Sequence, residues 1–465
     1  MTQRALQILT ALLIALLLGG CGGGSSGDTV ADSDPGGIGG TGISSGSISA
    51  IGSIVVNGRR FDVESAEIAV NGTPKTQSAL EVGYVVDVRG DFDDGVAESV
   101  EFIPDLVGPI TGTSIPAGTD TGTLAVMGQV VQVTPTTLFT NGASADGLTE
   151  GDRVLVSGFR NSGREIVASH IRLRPGSGDF PEDQIVGRAT SVSPDGFEIA
   201  GLRIDTAFPP DAGERVVATG MYQSRPSPRF EADDVAAMDD LRAEPDDAVE
   251  LEGIVEAFDT LSSPFTVDGV TVDGSGATVE GGDIGLDAEV EVDGSFNRDG
   301  VLIARRIEVD REENVEIEAR VSDVSSDLTS VRFFNGALSV RITDRTRLKD
   351  DSGGIDAFGV GDIAPGNYLE IDGYVANGGA SVVATRLERE DPEDQAVIEG
   401  PVQSFDAANQ SITLLGITVR IDEAVIEDGP ISDLPEGTIV EITWNQAAPD
   451  LSESADEVEI EEPDD

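Results

Sequence analysis

The stretch Gly83-Tyr84-Val85-Val86-Asp87-Val88-Arg89-Gly90 decides the fold, because apolar and polar residues alternate in it between two glycines. Alternation with period two is typical of a β-strand that buries one face. The pattern recurs five more times: at residues 151–158 and 213–220, in two stretches that end at Gly294 and Gly373, and at residues 437–444. In the last copy Trp444 replaces the closing glycine. Recurrence of this kind predicts a chain of about six β-rich repeats.

A second recurring element follows each of these strands. It is an alanine with an aliphatic residue three positions later: Ala97/Val100, Ala168/Ile171, Ala232/Val235, Ala304/Ile307, Ala384/Leu387 and Ala455/Val458. Turn dipeptides that accept positive φ stand between strands: Asn57-Gly58, Asn71-Gly72, Asp94-Gly95, Asp195-Gly196, Asp268-Gly269, Asp299-Gly300 and Asn335-Gly336. No sustained apolar stripe of helical period follows the first 20 residues, so we expect little helix.

Each repeat has the strands for a small barrel. A unit of roughly 60 to 80 residues with five short strands can cover its strand edges by curling up, as OB-type barrels do. The bracketing glycines would mark the entry to the central strand and a sharp bend, where a Cβ would crowd the crossing strand. We therefore expect an all-β fold of about six tandem, independent, five-stranded OB-like barrels, joined by short linkers into an elongated molecule.

The patterns also set the expected boundaries. They are a signal peptide (1–20), a lipidated tether (21–45), repeat 1 (46–104), repeat 2 (105–176), repeat 3 (184–240), repeat 4 (247–311), repeat 5 (314–390), repeat 6 (395–461) and an acidic tail (462–465). The tether is rich in Gly, Ser and Asp and has little to bury, which predicts a disordered, flexible segment.

Cys21 is the single cysteine, and it follows Leu18-Gly19-Gly20 at the end of a short apolar run. The run is shorter than the ~20 residues that span a bilayer, and Arg4 precedes it, as in a signal peptide. The arrangement resembles the lipobox of bacterial lipoproteins, in which a peptidase cuts before the cysteine and its thiol carries lipid. The resemblance implies that Cys21 is lipidated with chains such as palmitate. With Gly22 in place of an aspartate, it also implies anchoring in the outer membrane.

Residues 46–61 resemble the opening of a widespread bacterial domain of unknown function that is found repeated in envelope lipoproteins. The strand that starts at Val82-Gly83 and the exit from Ala97 to Phe102 are similar to that family as well. The resemblance is closest over residues 46–104 and weakest in repeats 3 and 5. Because that family has no established activity, it implies a fold and a location, and no functional residues.

Charge excludes one class of partner. The chain has 29 Lys and Arg against 86 Asp and Glu, a formal net charge of −57. Such a field repels phosphate backbones, so we expect no nucleic-acid binding.

His170 is the single histidine, in a strand where Ile171 and Leu173 take the buried face. Alternation then points His170 outward beside Arg172, as an exposed strand residue without a catalytic role. A catalytic triad or a histidine zinc site needs partners for the imidazole that the sequence does not supply. We predict that the chain is not an enzyme.

Calcium is the one cofactor that the sequence leaves open, because oxygen ligands are abundant. Asp91, Asp93 and Asp94 form the densest loop cluster, but the loop lacks the glycine and glutamate that an EF-hand requires. The alternative is an ordinary acidic hairpin turn. The segment Asp350-Asp351-Ser352-Gly353-Gly354 is a weaker case of the same kind.

Together these features predict a lipid-anchored cell-envelope protein that acts as a non-enzymatic structural or interaction scaffold. Its partners would be the membrane, through the lipid anchor, and an envelope protein. The alternative is an envelope module whose loops bind calcium or a glycan.

Overall fold

The computed structural model describes residues 41–116, 119, 121–145, 147–174, 183–238, 241, 247–310, 314–352, 355, 357–376, 381–426, 431 and 434–460. The predicted signal peptide, Cys21, most of the predicted tether and the acidic tail lie outside these residues. All the described residues belong to one compact unit. In the part of the chain that is described, no helix combines the length and apolar character needed to cross a membrane.

The described residues form 38 strands and three short 3-10 turns, at Gln77–Ala79, Phe334–Gly336 and Val360–Asp362. Repeat 1 contains β1 (Thr41–Ala50), β2 (Ile54–Val56), β3 (Arg59–Phe61), β4 (Glu67–Val70), β5 (Thr73–Lys75), β6 (Val85–Asp91) and β7 (Val96–Phe102). Repeat 2 contains β8 (Leu106–Ser114), β9 (Gly122–Val126), β10 (Gln129–Val133), β11 (Leu138–Thr140), β12 (Arg153–Arg160) and β13 (Ile166–Leu173). Repeat 3 contains β14 (Asp183–Arg188), β15 (Thr190–Ser193), β16 (Gly196–Ile199), β17 (Leu202–Asp205), β18 (Arg215–Gln223) and β19 (Arg229–Ala237).

The second half of the chain has the same make-up. Repeat 4 contains β20 (Ala248–Ala257), β21 (Phe265–Val267), β22 (Val270–Asp273), β23 (Thr278–Glu280), β24 (Glu289–Phe296) and β25 (Leu302–Val309). Repeat 5 contains β26 (Val315–Arg320), β27 (Asp323–Val324), β28 (Ser330–Phe333), β29 (Leu338–Arg341), β30 (Arg347–Asp350), β31 (Tyr368–Ala376) and β32 (Ser381–Glu390). Repeat 6 contains β33 (Ala396–Asp406), β34 (Ser411–Leu414), β35 (Ile417–Arg420), β36 (Val425–Ile426), β37 (Ile439–Trp444) and β38 (Glu457–Ile460). The all-β prediction with repeated domains is confirmed.

Repeat 4 is a closed five-stranded barrel in which β20, β21, β22, β25 and β24 pair in a ring that returns to β20. Within this ring only the β22–β25 pair is parallel, as expected for an OB-type strand order. Repeat 2 follows the same order of pairing. In repeats 1 and 6 the third strand meets the last segment only through isolated bridges, Asp62 to Val96 and Arg420 to Ser454. Six uniformly closed barrels are therefore not what the protein has.

The repeats are joined through their first strands. β1 of repeat 1 pairs with β20 of repeat 4, β8 of repeat 2 with β14 of repeat 3, and β26 of repeat 5 with β33 of repeat 6. The three resulting sheets have 13, 12 and 13 strands. Continuous apolar cores also extend across repeats 2 and 3 and across repeats 5 and 6. The prediction that the barrels are independent is therefore wrong. The repeats pair because a first strand with an open edge gains main-chain hydrogen bonds when another first strand lies beside it.

The predicted end of the tether is also wrong, because β1 begins at Thr41 rather than after residue 45. The segment has the composition of a solvated linker, but its serines are buried: Ser44, Ser45, Ser47 and Ser49. They are buried because β1 lies between β6 and β20 in the sheet. Their hydroxyls find partners there; for example, Ser49 Oγ donates to the Asp344 carbonyl at 2.8 Å.

The closing glycines stand at bulges opposite the recurring alanines. The pairs are Gly90 with Ala97, Gly158 with Ala168, Gly220 with Ala232, Gly294 with Ala304 and Gly373 with Ala384. A Cβ on any of these glycines would lie between 2.1 and 2.3 Å from a carbonyl oxygen of the partner strand. The prediction that a Cβ there would crowd the crossing strand is confirmed.

We predict that Gly158→Ala lowers the free energy of unfolding by about 2 kcal/mol or more, because its Cβ would lie 2.1 Å from the Val167 oxygen. Gly276→Ala is the matched control, since a Cβ there has open space around it. Urea unfolding followed by circular dichroism measures both. Equal stability of the two variants would show that the bulge tolerates a side chain.

Candidate functional site

The predicted calcium loop is a hydrogen-bonded turn at the end of β6. Asp91 Oδ1 accepts from the backbone N–H groups of Asp93 and Asp94, at 2.9 and 3.1 Å. Asp93 and Asp94 are exposed. In the residues that are described, these three carboxylates do not form a group with ligand spacing. Calcium binding here stays a prediction from sequence.

The equivalent turn of repeat 4 explains why an acidic residue stands at this place. Asn297 follows β24, and its Oδ1 accepts from the N–H groups of Asp299 and Val301, at 2.8 and 3.0 Å. A neutral amide thus accepts from two N–H groups of its turn, as the Asp91 carboxylate does, although its second donor is four residues along the chain rather than three. The turn needs an oxygen acceptor rather than a negative charge.

His170 is fully buried, so the prediction of an exposed residue is wrong. Its Nδ1 lies 2.7 Å from the Val82 carbonyl and its Nε2 lies 2.9 Å from Thr140 Oγ1 and 3.3 Å from Glu81. The predicted alternation of β13 is confirmed for Ile171, which faces the core of repeat 2. The other face of β13, however, is covered by repeat 1 instead of solvent.

Glu81 completes this contact between repeats 1 and 2. Thr140 Oγ1 donates to its carboxylate at 2.7 Å, and Arg172 lies 3.3 Å away. Burial alone would raise the pKa of Glu81, but hydrogen bonding to His170 and the charge of His170, with Thr140 and Arg172, outweigh it and lower the pKa to about 2. The polar residues around His170 therefore hold two repeats together.

The acidic segment that begins at Asp350 forms ion pairs with basic side chains. Asp350 pairs with Arg389, whose hydrogen bonds lower the pKa of that carboxyl, and Lys349 lies 2.5 Å from Asp351. Asp351 does converge with Glu388 and Glu390 at the spacing of a metal site. Lys349 Nζ lies 3.4 Å from Glu388, so an ammonium already balances this group of carboxylates.

A cavity of about 290 Å³ opens between repeats 2, 3 and 4, and four arginines line it: Arg160, Arg164, Arg188 and Arg215. Arg160 donates to the carbonyls of Arg164 and Val186, at 2.9 and 2.7 Å. Arg188 donates to the Gly269 carbonyl at 2.6 Å, and Arg215 Nη1 lies 3.5 Å from Asp268. These contacts link repeat 2 to repeat 3 and repeat 3 to repeat 4.

Three carboxylates line the same cavity: Asp105, Glu256 and Asp268. Asp105 Oδ2 accepts from the N–H of Gly158 at 3.1 Å, and Glu256 accepts from Gly269 N–H at 2.9 Å. Burial raises the pKa of Asp105 to about 6, although the nearby Arg160 charge opposes this. Burial also raises the pKa of Glu256 and lowers that of Arg160. Four guanidinium groups thus face three carboxyl groups.

Arg164 differs from the other three arginines of the cavity. It is exposed, and its φ of 67° is in the left-handed region that costs a side chain roughly 1–2 kcal/mol. The turn closes through Asn161 N–H to the Glu165 carbonyl, just as Asn297 N–H bonds to Val301 in repeat 4. The position equivalent to Arg164 in that turn is Gly300, with φ 76°.

Comparison with protein families gives matches to the one described as a domain of unknown function (DUF5666), at residues 43–101, 107–172, 252–308, 318–388 and 399–459. The chain belongs to this family. The matched segments of DUF5666 follow the strand repeats, and repeat 5, where the resemblance in sequence was weak, is among them. Repeat 3 lies outside the matches, although its Gly220–Ala232 bulge is that of DUF5666 repeats 1, 2, 4 and 5. No curated protein matches this DUF5666 chain.

The cavity could not be predicted from the sequence, because its lining residues come from three repeats. One signal was available: Arg164 stands where the turn of repeat 4 has glycine.

We predict that Asp91→Ala lowers the free energy of unfolding by about 1 kcal/mol, because two turn N–H groups lose their acceptor. Asp91→Asn keeps an oxygen in place and should change it by less than about 0.5 kcal/mol. Calcium calorimetry on the same proteins separates the two interpretations of the loop. Binding tighter than ~1 mM that Asp91→Asn removes would establish a calcium site.

We predict that the unfolding midpoint rises as pH falls from 8 to about 5. Burial raises the pKa of Asp105 to about 6 and that of Glu390 to about 7, and the pKa of half-buried Glu316, which lies beside other carboxylates, is also raised. A carboxyl with a raised pKa binds its proton more tightly in the folded state, so protonation stabilises the fold. Below about pH 4.5 the lowered pKa of Glu81 acts in the opposite direction.

Thermal unfolding at pH 8, 7, 6 and 5 measures this dependence. Asp105→Asn is the matched variant, because it cannot bind the proton. It should reduce the pH-dependent gain in the free energy of unfolding by up to roughly 3 kcal/mol. A midpoint that is flat or falls over this range would contradict the assignment of buried, proton-binding carboxyls.

Proposed function

We propose that the chain is a lipid-anchored scaffold of the cell envelope, held in the outer membrane through Cys21 and acting without catalysis. The observation that carries this proposal is that the repeats belong to one compact unit and pair with one another through their first strands. A body whose repeats are fixed relative to one another can present several surfaces to envelope partners at set distances. This is what a scaffold requires.

Arg347 supports the proposal most directly. This residue of β30 in repeat 5 lies 3.6 Å from Glu252 and 3.8 Å from Glu289, both in repeat 4. It also donates to Ser47 Oγ in repeat 1 and to the Thr136 carbonyl in repeat 2, each at 3.3 Å. One guanidinium, 12% exposed, therefore joins four repeats. Charged groups with several hydrogen-bonded partners fix relative orientation.

Arg345 strengthens the contact between repeats 4 and 5. It lies 2.9 Å from Glu291 and 2.6 Å from Glu308. Burial would lower its pKa, but these two carboxylates outweigh that and raise it. Glu291 is itself buried and also lies 3.2 Å from Arg306 of its own repeat, so removing Arg345 would take away the ion pair that Glu291 makes with repeat 5.

The position of β1 is consistent with an anchor just before it. The strand begins at Thr41, 20 positions after Cys21, and belongs to the same sheet as repeat 4. The strand that follows the proposed anchor along the chain is therefore joined to two repeats by main-chain hydrogen bonds.

The test uses cells that express the full chain and are grown with labelled palmitate. We expect the wild-type protein to carry label and to sediment with outer membranes, and Cys21→Ala to lose both properties because the thiol is the acyl acceptor. Ser25→Ala is the control and should behave as the wild type. A Cys21→Ala protein that remains labelled and sedimenting would overturn the anchor.

Crosslinking in the same cells addresses the scaffold. Discrete protein adducts that weaken in Arg347→Ala, where the repeats lose a shared contact, would support it. Adducts absent from wild-type cells, together with retention on glycan that chelators abolish, would favour the calcium- or glycan-binding alternative.

A further inference from the structure

The cavity between repeats 2, 3 and 4 has a charge that is unusual for this chain. Its lining has four arginines and three carboxylates in a protein whose formal net charge is −57. Arg160, Arg188 and Arg215 contact carbonyls or carboxylates of neighbouring repeats, and these contacts account for their positions. No contact of this kind explains the position of the Arg164 side chain. Within the residues described, its side chain has no hydrogen-bond or ion-pair partner.

The backbone of Arg164 adds a second, independent observation. The residue holds a left-handed conformation where the equivalent turn has Gly300, and Gly163 stands immediately before it. An arginine kept at a strained backbone position indicates a role for its side chain, because strain of this kind collects at binding sites. The side chain is thus available to a ligand.

We propose that this cavity binds a small carboxylate that carries several hydroxyl groups, of the uronic acid class. The carboxylate pairs with the guanidinium of Arg164, which suits planar two-point recognition. Ligand hydroxyls donate to Asp105 and Glu256, and Thr190 offers a further polar contact at the wall. The site lies on the proposed scaffold but does not depend on it.

Size and charge select this class over others. A volume of about 290 Å³ is at the lower end of ligand pockets, which suits a single sugar-sized molecule. The lining carboxylates would repel a dianion such as phosphate, because only one arginine is in excess. No aromatic side chain lines the cavity, so it lacks a platform for a nucleobase or for the apolar face of a neutral sugar.

The test is calorimetry of the full chain in detergent at low salt, with D-galacturonate, D-galactose and inorganic phosphate as separate probes. We expect galacturonate to bind with a Kd below about 1 mM and galactose at least about tenfold more weakly, since it lacks the charged group. Absence of galacturonate binding, equal binding of galactose, or tighter binding of phosphate would each overturn the proposal.

Two substitutions separate binding from folding. Arg164→Gln should weaken galacturonate at least about tenfold. Arg164→Gly should weaken it equally while raising the unfolding midpoint, because glycine relieves the left-handed strain. Arg298→Gln, an exposed arginine of the equivalent turn in repeat 4, is the control and should leave binding unchanged. Undiminished binding by both Arg164 variants would overturn the assignment.

Discussion

Main-chain pairing between first strands is the interaction on which the rest of this structure depends. Each repeat wraps its strands around a small core, yet its first strand keeps an edge that can accept another chain segment. Three pairs of repeats join at these edges: β1 with β20, β8 with β14, and β26 with β33. Hydrogen bonds along a strand fix both distance and direction, so each pair becomes a single sheet. Side chains between pairs then find fixed neighbours, as Arg347 does with repeats 1, 2 and 4.

The same pairing creates the polar interior of the protein. His170 and Glu81 meet because repeat 1 covers the outer face of β13, and the cavity forms where repeats 2, 3 and 4 converge. Burying ionisable groups is costly unless they find partners. Here most of them do, and the remaining cost appears as upward pKa shifts of carboxyl groups such as Asp105. An acidic surface and a proton-binding interior are thus two results of one composition.

Local features of the fold could be predicted from the sequence, because they depend on neighbouring residues. Alternation indicated the strands, and a Cβ on the closing glycine of repeats 1 to 5 would lie against a backbone oxygen at the bulge. Relations between repeats could not be predicted in this way. Alternation placed His170 on the opposite face from Ile171, but the packing of repeat 1 decides whether that face is exposed to solvent. The serines of β1 have the composition of a linker, and they are buried because two strands flank them. The cavity was missed for the same reason, since three repeats contribute to it.

The order in which the repeats pair is nested: the second joins the third, while the first joins the fourth. During synthesis from the N-terminus, Gly42 must wait until Ala248 has emerged before its strand gains that neighbour. Until then the polypeptide next to the proposed lipid carries an uncovered row of amide and carbonyl groups, open to any passing strand. Biogenesis of this protein would therefore need a holding factor, or a fast-closing middle segment, to keep its beginning from joining the wrong chain.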